Sequence, residues 1–162
     1  MKIAYITDSA TTLDKKHQDL YVVPFTAYNN SGTQHYVYDA KYINKLQEES
    51  GHGSKLYIEP TPGLYRDLFL TLKKQGYEAI VCIPQNREQS LSYKNAIYAT
   101  KITDMMINVI DVNKLSITPE TALTHLFNDN DFRDEIKNIS LDLETILSFI
   151  QNSLNRLNLT QA

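Results

Sequence analysis

Two hydroxyls two residues apart, Ser90 and Ser92, open a predicted helix just after an apolar predicted strand. Hydroxyls and free backbone N–H groups at a helix start form an anion site, which would take a carboxylate or phosphate without a cation nearby. Local sequence alone favours a plainer role, in which the serines cap the helix. A second cluster, Thr7-Asp8-Ser9 with Thr11, follows the first predicted strand. In open α/β sheets ligands bind outside the carboxyl ends of the strands, so Asp8 could contact a ligand or a metal. The more economical reading has Asp8 closing the next turn through its own side chain, and Ser9 and Thr11 share that reading. Thr61, in Pro60-Thr61-Pro62-Gly63, is one more hydroxyl that could face a ligand or serve only its turn. Glu59 beside it carries a charge that would repel an anion. Arg87 could offer a cation, although an exposed loop arginine is the commoner case.

Other chemistries lack support. The single cysteine, Cys82, lies in the apolar run Ala79 to Ile83, which suits a buried packing thiol rather than a nucleophile. It excludes an internal disulfide and a thiolate metal cluster. His17, His35, His52 and His125 stand in no metal-ligand spacing with one another or with Cys82. There is no glycine-rich phosphate loop, and no nucleophile, base and orienting group can be named as a set. The expectation is a non-enzymatic protein without a cofactor or metal.

The elements that position these groups alternate. Residues 2–6 read as a strand, Tyr21 to Tyr28 as an aromatic and β-branched strand, and His35 to Tyr38 as its return across the Asn29-Asn30-Ser31-Gly32 turn. Lys41 to Glu49 reads as helix, ended by Gly51-His52-Gly53, and Leu56 to Glu59 as a short extended piece. Gly63 to Gln75 carries Leu64, Leu68 and Leu72 on one helical face with Phe69 beside it, and Gly76 stands at its C′ position. Ala79 to Ile83 is the continuous apolar run of a central parallel strand. Glu88 to Lys101 reads as helix and Met105 to Ile110 as a strand. The alternation predicts an α/β fold, a parallel-rich sheet flanked by helices of Rossmann-like type.

Beyond Asp111 the pattern turns helical. Thr118-Pro119-Glu120 opens one helix, broken from Asn128 to Asp131. Ser140 to Leu157 is the clearest helix of the chain, with Leu143, Leu147, Ile150, Leu154 and Leu157 in a narrow, heptad-like seam. Residues 1–162 are thus expected to form one domain, 1–111 as its α/β core and 112–162 as a helical C-terminal extension.

At 162 residues the chain suits one domain, and folding should bury roughly 70% of its unfolded surface. Apolar residues make up 42% and charged residues 22%, the proportions of an ordinary globular protein. A net charge of −3 with scattered Lys and Arg argues against nucleic-acid binding, which needs a basic stripe. The N-terminus runs straight into a strand pattern, unlike a signal peptide, and no apolar run approaches the ~20 residues of a spanning helix. The expected location is the cytoplasm.

Several phrases together resemble the amino-terminal half of the DegV family, bacterial proteins that bind fatty acids. They are Lys2 to Ser9, Val22-Val23-Pro24-Phe25, Pro60 to Gly63, Gln75 to Val81, Ser90 to Tyr93 with Ala96, and Val109-Ile110-Asp111. Their order and spacing carry the resemblance, over roughly Met1 to Asp111. It implies the first of two α/β domains with a long-chain fatty acid held between them, and, in fatty-acid kinase systems, delivery to a separate kinase subunit. The family's Ser-Gly-Thr-Tyr segment gives a hydroxyl to the fatty-acid head group, which implies that role for Ser90, and Ser92 in place of the family's Thr keeps a hydroxyl. Leu91 replaces the glycine, removing backbone freedom and adding bulk. The family's Thr-Ser-Gln-Pro contact segment reads Tyr57-Ile58-Glu59-Pro60, with both small hydroxyls gone. Taken with the residues read above, the candidate ligand set is Ser90, Ser92, Thr61, Ser9 and Asp8.

An acyl tail needs an apolar enclosure, worth ~0.8 kcal/mol per buried CH₂. The Ser140 to Leu157 helix could close it in cis, or two chains could pair through that helix as a homodimer. Two functions follow: a non-catalytic lipid carrier with a partly degraded head-group site, or a ligand-free interaction or regulatory module derived from the same domain.

Overall fold

A single proline divides the predicted strand Tyr21 to Tyr28. Pro24 has no N–H to give to a ladder, and in the computed structural model the chain changes sheets there. Residues 2–13, 16–29, 31–49, 56–86, 90–128, 148, 150–152 and 155 are described. Strand β1 (Ile3–Asp8) pairs in parallel with β2 (Leu20–Val23), from Tyr5↔Leu20 to Asp8↔Val23. After Pro24, β3 (Phe25–Tyr28) leaves for a second, antiparallel sheet. It pairs on one side with β4 (Gln34–Val37), the predicted return strand, and on the other with β5 (Tyr57–Ile58). Helix α1 (Ala40–Glu49) packs Ile43 and Leu46 onto this small sheet, beside Phe25, Ala27 and Val37.

The main sheet has the order β2-β1-β6-β7, with β6 (Ala79–Cys82) and β7 (Met106–Val109) parallel to β1. Every residue of β1 and β6 is buried, because helices cover both faces of a parallel sheet. On one face, Ala4, Ile6, Ile80 and Cys82 meet α2 (Pro62–Lys74) and α3 (Ser92–Lys101). On the other, Ile3, Tyr5, Val81 and Ile83 meet α4 (Pro119–Asn128) through Ala122, Leu123, Leu126 and Phe127.

The boundaries follow local chemistry, with shifts. Thr61 caps α2, accepting from Leu64 N at 3.2 Å, with Pro62 at the first position. The buried row of α2 is Tyr65, Phe69 and Leu72. Leu64 and Leu68 are only half-buried, so the predicted leucine face is turned by one position. Gly76 ends this region at φ +94°, a left-handed backbone that favours glycine. Helix α3 starts at Ser92 rather than Glu88. Thr118 caps α4 by accepting from Thr121 N at 3.2 Å.

The predicted seam of the last helix lies mostly outside the described residues, as do His52, Arg87, Glu88, the break after Asn128, Leu143, Leu147, Leu154 and Leu157. Ser148, Ile150 to Asn152 and Asn155 are helical, and Ile150 is buried in the core on the α4 face. Among the described residues no helix is long and apolar enough to cross a membrane.

Candidate functional site

The carboxyl ends of β1 and β6, the start of α3 and the first turns of α2 and α4 converge on Asp8. Its carboxylate is wholly buried and takes three hydrogen bonds. Oδ1 accepts from Ala10 N at 3.0 Å, and Oδ2 accepts from Gln85 N at 2.8 Å and from Ser92 Oγ at 2.7 Å. The first of these closes the turn after β1. The other two tie β1 to the loop after β6 and to the first turn of α3.

The protons in this cluster run in one direction. Ser92 gives its only hydroxyl proton to Asp8, so Tyr65, whose hydroxyl lies 2.6 Å from Ser92 Oγ, must donate to it. Tyr65 is fully buried, and burial together with the charge of Asp8 raises its pKa. It therefore remains a donor. A parallel chain runs beside it: Gln85 Nε2 donates to Thr11 Oγ1 at 3.1 Å, Thr11 and Thr7 hydroxyls lie 2.8 Å apart, and Thr7 Oγ1 donates to Ile83 O at 2.8 Å. Gln85 Nε2 also reaches Glu120 Oε1 at 3.1 Å, and that oxygen accepts from Thr12 N at 3.2 Å.

Burial dominates the electrostatics of Asp8. Desolvation pushes its pKa from the ordinary 3.8 up to about 6, opposed by the bonds from Ser92, Gln85 and Ala10, with the charge of Glu120 adding to the rise. The carboxyl is thus mostly ionised at neutral pH and titrates in mildly acidic solution. Cys82 lies beneath it, fully buried, its thiol pushed up by burial and by Asp8, as expected of a packing cysteine rather than a nucleophile.

The structure brings together Asp8, Ser90 and Ser92, but not as equals. Ser92 is wholly enclosed between Asp8 and Tyr65. Ser90 lies nearer the surface, 8% exposed, and its Oγ accepts from Ser92 N at 3.3 Å. Ser9 joins the two sheets, its Oγ accepting from Phe25 N at 2.8 Å beyond Pro24. Thr61 is exposed and engaged as the α2 cap. The α2 entry is fixed to α3 by Asn95 Nδ2, which donates to Pro60 O at 2.9 Å. Two apolar side chains stand out at this edge, Leu91 at 51% and Ile58 at 36% exposure. Sequence reasoning missed Tyr65 and Gln85. Tyr65 sits one position from the leucine face, a signal too weak to assign it a partner 27 residues away.

A cavity of about 220 Å³ lies on the opposite face of the sheet, between α4 and the β1–β2 connection, lined by Leu13, Leu20, Leu123 and Phe127 with Glu120 and Thr12 at one side. It is below the 300–1,000 Å³ usual for small-molecule pockets, and by itself does not enclose a long acyl chain.

The family model that matches is that of the DegV family, described as uncharacterised proteins, over residues 2–142. The match runs past Asp111 into the helical region, further than the sequence phrases reach. No curated protein matches the chain. Among solved structures the fold is similar to that of a DegV lipid-binding protein from Thermotoga maritima, with TM-score 0.65 and 17% identity over 96% of this chain and 55% of that one. A fatty-acid-binding DegV family protein from Streptococcus agalactiae gives TM-score 0.62 and 21% identity, over 94% and 53%. A stearic-acid-binding protein from Eubacterium ventriosum gives 0.59 and 23%, over 93% and 52%. At these identities the likeness is one of fold, and the chain spans about half the length of each relative. With the parallel sheet, the Asp8 cluster and a family match over most of its length, the chain belongs to the DegV family.

Proposed function

We propose that this protein is a non-catalytic carrier of long-chain acyl lipids, fatty acids in the first instance, with the head group at the start of α3. The observation that carries the reading is the position of Ser90. The Tyr65, Ser92 and Asp8 chain anchors the first turn of α3 from beneath, while Ser90, just before that turn and next to the exposed Leu91, lies nearer the surface than Ser92. Its hydroxyl accepts from Ser92 N and still carries a proton to donate. Thr61, the cap of α2 and next in sequence to the Pro60 that Asn95 holds, offers a second hydroxyl, and Asp8, Ser92 and Ser9 act by holding the frame. Solved relatives described as binding fatty acids support this reading over a ligand-free module.

The same proposal takes the chain as one unit working in the cytoplasm. The acyl tail requires cover that the cavity on the α4 face does not supply. A homodimer through the C-terminal helix would provide it, and a kinase subunit would receive the lipid. The burial of Ile150 within its own chain supports a cis role for at least part of that helix.

The test is native mass spectrometry of the purified chain followed by denaturing lipid extraction. A stoichiometric C14–C18 acyl lipid supports the carrier and the spectrum gives the oligomeric state. A folded protein that is empty, and stays empty after incubation with fatty acids, refutes it.

A further inference from the structure

The cavity on the α4 face lies apart from the proposed head-group position and has a chemistry of its own. Leu13, Leu20, Leu123 and Phe127 form its apolar wall, and Glu120 brings a carboxylate to it. Two neutral donors fix that carboxylate, since Oε1 accepts from Thr12 N at 3.2 Å and from Gln85 Nε2 at 3.1 Å. Among the described residues, Oε2 accepts no hydrogen bond, Glu120 has no salt-bridge partner, and no Lys or Arg lines the cavity. The charge of Glu120 acts instead on Asp8, another carboxylate.

Thr124 lines the same cavity, one helical turn after Glu120. Its hydroxyl proton is given to Glu120 O at 2.8 Å, so towards a ligand Thr124 Oγ1 only accepts, as a carboxylate does. The two groups call for a donor, and Glu120 calls for a balancing positive charge. A primary ammonium supplies both, having three donors and no acceptor, and its bond to a carboxylate is charge-assisted. A hydroxyl supplies one donor and no charge, and an ionised acid supplies neither. The leucines and Phe127 suit a short hydrocarbon body. An apolar cavity of about 150 Å³ holds benzene, so a volume of about 220 Å³ admits roughly six to nine non-hydrogen atoms. We propose that this cavity binds a small amphipathic primary amine, its ammonium on Glu120 and Thr124 and its hydrocarbon against Leu20, Leu123 and Phe127. The proposal is independent of the acyl-lipid reading.

The probes are hexylamine, hexanol and hexanoate, titrated near neutral pH into the full chain and followed by methyl NMR. Hexylamine should shift the methyls of Leu13, Leu20 and Leu123 with a Kd at least about tenfold below that of hexanol, the scale of one charge-assisted hydrogen bond, and hexanoate should leave them in place. Glu120→Gln keeps an acceptor for Thr12 N and Gln85 Nε2 while removing the charge, so it should fold, which circular dichroism checks. In that variant the amine should bind within about twofold of the alcohol, the charge assistance being gone. An amine that binds no tighter than the alcohol, a preference that survives in Glu120→Gln, shifts confined to residues outside the cavity, or no response to any probe overturns the proposal. Each of these leaves the carrier reading, tested with long-chain lipid, as it stands.

Discussion

Replacing Asp8 with Asn tests whether burial governs the carboxyl edge. Asp8 has a pKa of about 6 in the fold against 3.8 ordinarily, so between those values the folded protein binds more protons than the unfolded chain. Stability therefore falls as pH rises through this window: the contribution is fully present below 3.8 and lost once pH passes about 6. The two values differ by roughly two pH units at about 1.4 kcal/mol each, which gives ~3 kcal/mol, undiminished by screening because the group is fully buried. Asparagine cannot ionise, so the Asp8→Asn curve lacks this component, whatever constant offset arises from setting an amide against Gln85 N. Half-buried His125, held below its ordinary value by desolvation, acts in the opposite direction but equally in both proteins, and cancels in the difference. Urea unfolding followed by circular dichroism at several pH values from about 4 to 7 should show wild type losing ~3 kcal/mol relative to Asp8→Asn. A difference independent of pH, or one in which wild type gains stability over this range, would show that the Asp8 hydrogen bonds balance or outweigh its desolvation and refute the argument.

Two further outcomes follow from the same geometry. Ser92→Ala should cost ~2–4 kcal/mol by denaturant unfolding, because Tyr65 loses its buried partner and Asp8 one donor. It should also move the Asp8 carboxyl titration, followed by NMR, to still higher pH, whereas a purely steric role for Ser92 would leave that titration in place. Gly76→Ala should cost about 1–2 kcal/mol from the left-handed backbone alone, since a Cβ there meets nothing within 4 Å and φ is +94°. A thermal scan showing a drop of about 2–8 °C fits this, and no drop would mean that the turn relaxes.

The fold was largely legible because its signals are local. The apolar run Ala79 to Ile83 became a strand buried throughout, and Gly76 stands in the conformation that glycine favours. The errors lie where distant contacts override local pattern. Tyr21 to Tyr28 reads as one strand because its residues suit strands on both sides of Pro24, and only the two separate sheets show the division. The face of α2 turned toward Tyr65 because the sheet and α3 offered a hydroxyl partner as well as apolar surface.

By itself the sequence determined the alternation of strand and helix, the hydroxyl-rich corners after β1 and before α3, and the family's order of phrases, because periodicity, caps and turns depend on neighbours a few residues apart. Which hydroxyl lies nearer the surface was decided only by tertiary structure. Ser90 and Ser92 are near-identical in local sequence, yet Ser92 is sealed against Asp8, 84 residues away, and Ser90 remains near the surface. That division follows from the crossing of β1, β6 and α3 at one sheet edge, where a buried carboxylate must gather every donor within reach.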